Sequence, residues 1–267
     1  MKNQLKVLCG VLTLALAGHV SAATTWTLAS NYGAISGDVT VTALSNTGGT
    51  NTSSSSANNA ATQTIQGATW TNTWGGIYNL DACSSGSYCD VNESYSPEHS
   101  IDNNQRYDSA LLSFSSAVKL QQLTLGWSQY DSDLTVMAYV GAGAPTLINS
   151  TYSALANSAS GWVLIGNYSN VGSTSSAQVL NSSTTINAGG ISSSYWLIGA
   201  YNPLVSGSTT GGMLTDSYDY IKLASVTGCV SGTTGCNPST GVPEPGSLAL
   251  VGIGLFGLVR RYKGRKG

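Results

Sequence analysis

Between its two ends this chain has very little positive charge. Over residues 23–241 it carries only Arg106, Lys119 and Lys222 against eleven acidic residues. Such a body repels nucleic acid, whose binding depends on lysine and arginine neutralising phosphate. Charge of either sign is scarce, 8% of 267 residues, so surface ion pairs are not what keeps the chain in solution; 40 serines and 28 threonines stand in their place. Histidine is limited to His19 and His99, and no Cys-x-x-Cys knuckle occurs, which removes the usual zinc sites. Phenylalanine falls to 2 while tyrosine reaches 14 and tryptophan 6, a bias toward rings with a polar handle. No stretch between the ends repeats with the 3.6-residue apolar period of a long amphipathic helix.

What the body does contain is short alternating apolar runs cut by Gly, Ser, Asn and Thr, the strand-and-turn pattern of an all-β fold. About 220 residues between the ends suffice for one large β domain. We therefore expect a single, jelly-roll-like β-sandwich over 23–241, with strands over 24–29, 38–44, 68–73, 110–114, 120–127, 134–140, 162–168, 195–201 and 218–224. Leu123, Leu125 and Trp127, then Leu134, Val136, Ala138 and Val140, alternate with period two, and the connector 128–133 predicts a hairpin between them. Leu164-Ile165-Gly166-Asn167-Tyr168 returns as Leu197-Ile198-Gly199-Ala200-Tyr201, two similar core strands each ending in a Tyr near the surface. Residues 46–59, rich in Ser and Asn, have too few apolar groups to pack and read as a surface loop.

Both ends are addresses. Residues 1–22 place Lys2 and Lys6 before an apolar run and a Val20-Ser21-Ala22 cleavage site, the three parts of a secretory signal peptide. At the other end Val242-Pro243-Glu244-Pro245 precedes an uncharged apolar stretch, 246–259, and then Arg260, Arg261, Lys263, Arg265 and Lys266. Pro243 and Pro245 exclude helix there and hold the motif extended, while the basic cluster is the charge that keeps a helix end in the cytoplasm. From Pro245 to Val259 a helix spans about 22 Å at ~1.5 Å per residue, short of a hydrocarbon core of roughly 30 Å, so a transmembrane helix here thins the bilayer or lets its arginines snorkel. Gly252, Gly254 and Gly257 satisfy the dinucleotide-binding glycine spacing, but no strand precedes them and no acidic residue follows; they read as helix-packing residues in lipid.

This tail resembles the sorting signal of PEP-CTERM proteins, in which the short proline motif, a membrane helix and a basic end are recognised by the membrane protease-transpeptidase exosortase. The resemblance implies export, a transient inner-membrane intermediate with sorting motif 242–245, and delivery to the cell surface, with exopolysaccharide as a further partner. It implies no catalytic residues and no cofactor.

Few residues of the body carry chemistry. Cys83, Cys89, Cys229 and Cys236 are close in sequence as two pairs, and in an exported chain the expectation is two local disulfides, although the crossed pairings are also open to this sequence. His99 lacks a nucleophile elbow and reads as structural. Among the acids, Asp131 and Asp133 admit calcium binding or glycosidic hydrolysis beside the plainer reading of turn residues, which we favour. Trp127, Trp162 and Trp196 lie in apolar strands and belong to the core; Trp70 and Trp74, beside Gly75-Gly76, are the rings expected to be exposed. The function expected is a non-enzymatic structural or adhesive protein of the surface or biofilm matrix, with a carbohydrate-binding module as alternative and a glycoside hydrolase behind it.

Overall fold

One strand of 23 residues, Asp108–Tyr130, pairs with four others among the described residues. The computed structural model describes residues 23–48, 63–72, 76–80, 96–173, 182–205, 207, 209–210, 212–216 and 218–233. The signal peptide, the sorting tail, most of the Ser/Asn-rich segment, Trp74, Cys83, Cys89 and Cys236 lie outside these residues. Among the described residues no helix is long and apolar enough to cross a membrane.

The strands in chain order are β1 (Thr24–Thr27), β2 (Val39–Gly48), β3 (Thr64–Thr71), β4 (Tyr78–Leu80), β5 (Ile101–Asp102), β6 (Asp108–Tyr130), β7 (Leu134–Tyr139), β8 (Trp162–Tyr168), β9 (Ser182–Thr185), β10 (Ser193–Ala200), β11 (Thr209–Thr210) and β12 (Asp219–Val230). One short helix, α1 (Tyr152–Leu155), sits between β7 and β8. The fold is all-β as expected, and its form is one large sheet of 12 strands. All its pairings are antiparallel except β8 with β11, which run parallel.

The first half of β6 lies between β10 and β2 in the path β11-β8-β7-β10-β6-β2-β3-β4. Its second half pairs instead with β12 and β9. The two halves therefore carry different neighbours, and the main core lies against both. Ala110, Leu112 and Phe114 join it from the first half, Leu120, Leu123 and Leu125 from the second. A register shift between Thr227 and Gly228, opposite Gln122 and Leu120, switches the inward positions from even to odd, as one extra residue in a bulge must. Across this core the Trp26 ring meets Phe114 edge-on at 5.0 Å. A second cluster with Leu44, Met137, Leu197, Tyr152 and Trp162 covers the other face of the β2–β6–β10–β7–β8 region.

Three sequence expectations change. The pair 120–127 and 134–140 is no hairpin: β7 pairs with β8 and β10, whereas the second half of β6 pairs with β12 and β9. The connector joins strands that are not neighbours. Asn46–Gly48 belong to β2 rather than to a loop, because the Asn46 carboxamide is buried with work to do: it accepts the Tyr107 N–H at 2.7 Å and donates to Gln63 Oε1 at 3.2 Å. Tyr168 ends its strand buried, at 6% exposure, its hydroxyl accepting the Asn187 N–H at 3.2 Å. The repeated Leu-Ile-Gly strands are β8 and β10, and they flank β7 on its two sides.

Candidate functional site

Where β6 ends and β12 begins, three carboxylates converge. Asp131 and Asp133 lie in the connector after β6, and Asp219 opens β12; one oxygen from each can be chosen so that all lie within 4.8 Å of one another. The sequence offered the first two as ligand candidates, and the fold adds the third by pairing Asp219 with Tyr130 across the strands. Asp133 and Asp219 are fully buried.

Every oxygen of the three already accepts a hydrogen bond. Asp133 takes the backbone N–H of Asn170 and of Thr215, each at 2.8 Å. Asp219 takes the Asp133 N–H and the Asn103 side-chain amide, both at 2.6 Å. Asp131 takes its neighbour's N–H, Ser132, at 2.8 Å and the Thr215 hydroxyl at 2.6 Å. The cluster thus fastens the segments around Asn103, Asn170 and Thr215 to the ends of β6 and β12, satisfying backbone donors that would be costly to bury alone. Burial raises the Asp133 carboxyl, with the Asp131 charge adding to it against the two backbone N–H bonds. Asp219 is raised well above the ordinary carboxylate range, first by burial and then by the charge of Asp133. Three oxygens at this spacing could hold a hard cation. Glycosidic acid–base chemistry would require two carboxyls facing a substrate; of the pair weighed for it, Asp133 is enclosed and Asp131 is partly exposed.

A second constellation surrounds Lys222, which sequence reading counted only as one of three cations. Lys222 is 2% exposed. Its ammonium stands 4.2 Å from the Tyr78 ring centre and 5.0 Å from that of Trp127. His99 packs against both rings, edge-on to Tyr78 at 5.6 Å and stacked on Trp127 at 6.5 Å. Strand pairing sets Trp127 opposite Lys222. Gly76 brings Tyr78 in, since a Cβ there would stand 2.6 Å from the Lys222 carbonyl carbon, at a φ of +154°; only glycine lets the chain approach β12 so closely. Burial lowers the Lys222 ammonium to about 8. No hydropathy or spacing signal marks this lysine, because the rings against it come from separated stretches.

The remaining sequence candidates scatter. Trp70, expected to be exposed, is half-buried against the main core; Trp74 is outside the described residues. Trp127, Trp162 and Trp196 are buried as expected, at 6%, 4% and 0% exposure. Cys229 is buried in β12, while Cys83, Cys89 and Cys236 fall outside the described residues.

The chain matches the PEP-CTERM protein-sorting motif over residues 241–266. No curated protein and no solved structure matches it.

Proposed function

We propose that this is an exported surface protein which exosortase cuts from its membrane anchor and delivers to the cell exterior, where the β body serves a structural or adhesive role in an exopolysaccharide matrix. The observation that carries this is the sorting motif at 241–266, a signal for processing at the membrane. The physical chemistry of the body supports it. A sheet protein with 8% charged residues and abundant hydroxyls presents a surface able to hydrogen-bond neutral polymer without binding nucleic acid. Its two constellations support a non-enzymatic reading: the carboxylates are consumed in holding loops, and the buried lysine is shut in by rings. In the proposed sequence residues 1–22 direct export, the basic cluster after 259 holds the helix end inside, and cleavage falls near Val242–Pro245.

The test is cell fractionation with an epitope tag placed after residue 22, followed by intact mass. The expected result is a surface form lacking the membrane helix in cells that contain exosortase, and a full-length inner-membrane form in cells from which it has been deleted. An unchanged full-length mass in both strains would overturn the proposal.

A further inference from the structure

A groove of about 300 Å³ opens beside the end of β7 and the start of β8, apart from the carboxylates and from Lys222. Tyr139 and Trp162 contribute its rings, 5.3 Å apart with planes at 55°. Hydroxyls of Thr146, Ser150 and Ser160 line it too, and no charged residue does among the described residues.

The groove is held open by its own hydrogen bonds. The Tyr139 hydroxyl donates to the Ala142 carbonyl at 3.2 Å, and a Cβ at Gly161, where φ is +79°, would come 2.8 Å from the Tyr139 ring. Glycine at 161 therefore seats that ring. The segment facing it is tied to β3 by Ile65 N–H to Ser150 O at 2.7 Å and Asn149 N–H to Ile65 O at 2.9 Å. The Thr151 hydroxyl caps α1 by accepting the Ala154 N–H at 3.1 Å. Ser160 and Ser150 donate to the carbonyls of Leu155 and Thr146, at 2.8 and 3.3 Å; Ser160 Oγ also accepts the Trp162 N–H at 3.0 Å, which leaves each serine oxygen with acceptor capacity but no free proton. The Thr146 hydroxyl has no partner among the described residues.

Preformed clefts of roughly 300–1,000 Å³ with aromatic walls and a few placed polar groups are the ordinary form of a small-ligand site. Without a lysine, arginine or carboxylate among the described residues of its lining, this one offers nothing there to pair with a phosphate, an acidic sugar or a metal ion. Rings beside serine oxygens with remaining acceptor capacity and the Thr146 hydroxyl match a ligand that is apolar on its faces and donates hydroxyls at its edge. We propose that the groove binds one neutral hexose unit of a polysaccharide, its C–H face against Tyr139 and its hydroxyls toward Thr146 and the two serines. The inference gives the adhesive role a place on the surface, and it stands or falls separately from sorting because the assay begins with purified protein.

The full chain, purified in a zwitterionic detergent that carries no sugar headgroup, is titrated with maltohexaose, with cellohexaose and with an acidic hexasaccharide of hyaluronan by calorimetry. Two variants accompany it. Ala154→Trp fills the groove from an exposed position on α1, and Ala156→Trp puts the same ring on exposed surface just outside it. The expected result is saturable binding of a neutral oligosaccharide, weakened at least tenfold by Ala154→Trp and unchanged by Ala156→Trp. Binding of neither neutral sugar, binding of the acidic one alone, or equal affinity in both variants would each overturn the proposal.

Discussion

Replacing Lys222 with methionine should stabilise the protein at neutral pH, by an amount that shrinks as pH rises. The side chain is enclosed and its ammonium is lowered by burial from 10.5 to about 8, so between those values the unfolded chain binds a proton that the folded chain has given up. Unfolding free energy then increases with pH across that window: the penalty of a buried charge is fully present below about 8 and is gone above 10.5. At ~1.4 kcal/mol per pH unit, the difference corresponds to roughly 3 kcal/mol. Two rings oppose it, because cation–π contacts at 4.2 and 5.0 Å favour the charged form by about 1 kcal/mol when desolvated. The net penalty at pH 7 is therefore about 2 kcal/mol, and methionine, of similar length and without charge, removes it while leaving no cavity. The assay is urea unfolding of parent and Lys222→Met from pH 7 to 9.5, staying below the range where the buried tyrosines, raised by burial, begin to add their own dependence. The stabilisation should fall by about 1–2 kcal/mol from one end of that range to the other. A difference that is the same at every pH would show that Lys222 does not titrate in this window. A variant less stable than the parent at pH 7 would show that the rings outweigh burial.

Non-reduced peptide mapping of exported protein should find Cys83 joined to Cys89 and Cys229 to Cys236; free thiols or stoichiometric zinc would refute that pairing. Asp219→Ala should cost about 2–4 kcal/mol in denaturant unfolding, since it strands the buried Asp133 N–H and the Asn103 amide together, and a cost under 1 kcal/mol would show that the cluster holds little. With Asp133 and Asp219 both raised in the folded chain, the folded state binds more protons than the unfolded one from near pH 4 upward, so their contribution to stability should decline as pH rises through that window, and Asp219→Asn should flatten the decline. Calcium at millimolar levels should lift the melting temperature no more than magnesium or sodium of equal ionic strength; a specific rise would mean that the three carboxylates take up the ion. In the tail, Pro243→Ala with Pro245→Ala should leave membrane insertion intact while full-length chain accumulates in the inner membrane, and a normally trimmed surface form would refute the role given to the prolines.

Some of this molecule was legible in its residues alone, and the reason is locality. Alternation marks a strand through its own neighbours, so Trp162–Tyr168 was located to the residue. The sorting motif is likewise a run of adjacent residues whose meaning lies in apolarity, proline and terminal charge, and a match over 241–266 needs no fold. β9 was invisible for the opposite reason: Ser182–Thr185 has no apolar face, and backbone pairing to 122–125 makes it a strand. Equally hidden was the fusion of 110–114 with 120–127 into one strand, because Ser115 and Ser116 between them interrupt the apolar pattern without interrupting the ladder. Partner choice decided the rest. Whether β6 turns back on β7 depends on which strands win its edges, a competition among segments far apart in sequence, and β12 and β9 took them. That choice set Asp219 beside Asp131 and Asp133, placed Lys222 against the rings of Tyr78 and Trp127, and stood Tyr139 next to Trp162. Composition supplied the carboxylates, the lysine and the aromatics; their juxtaposition exists only once long-range pairing has set the register.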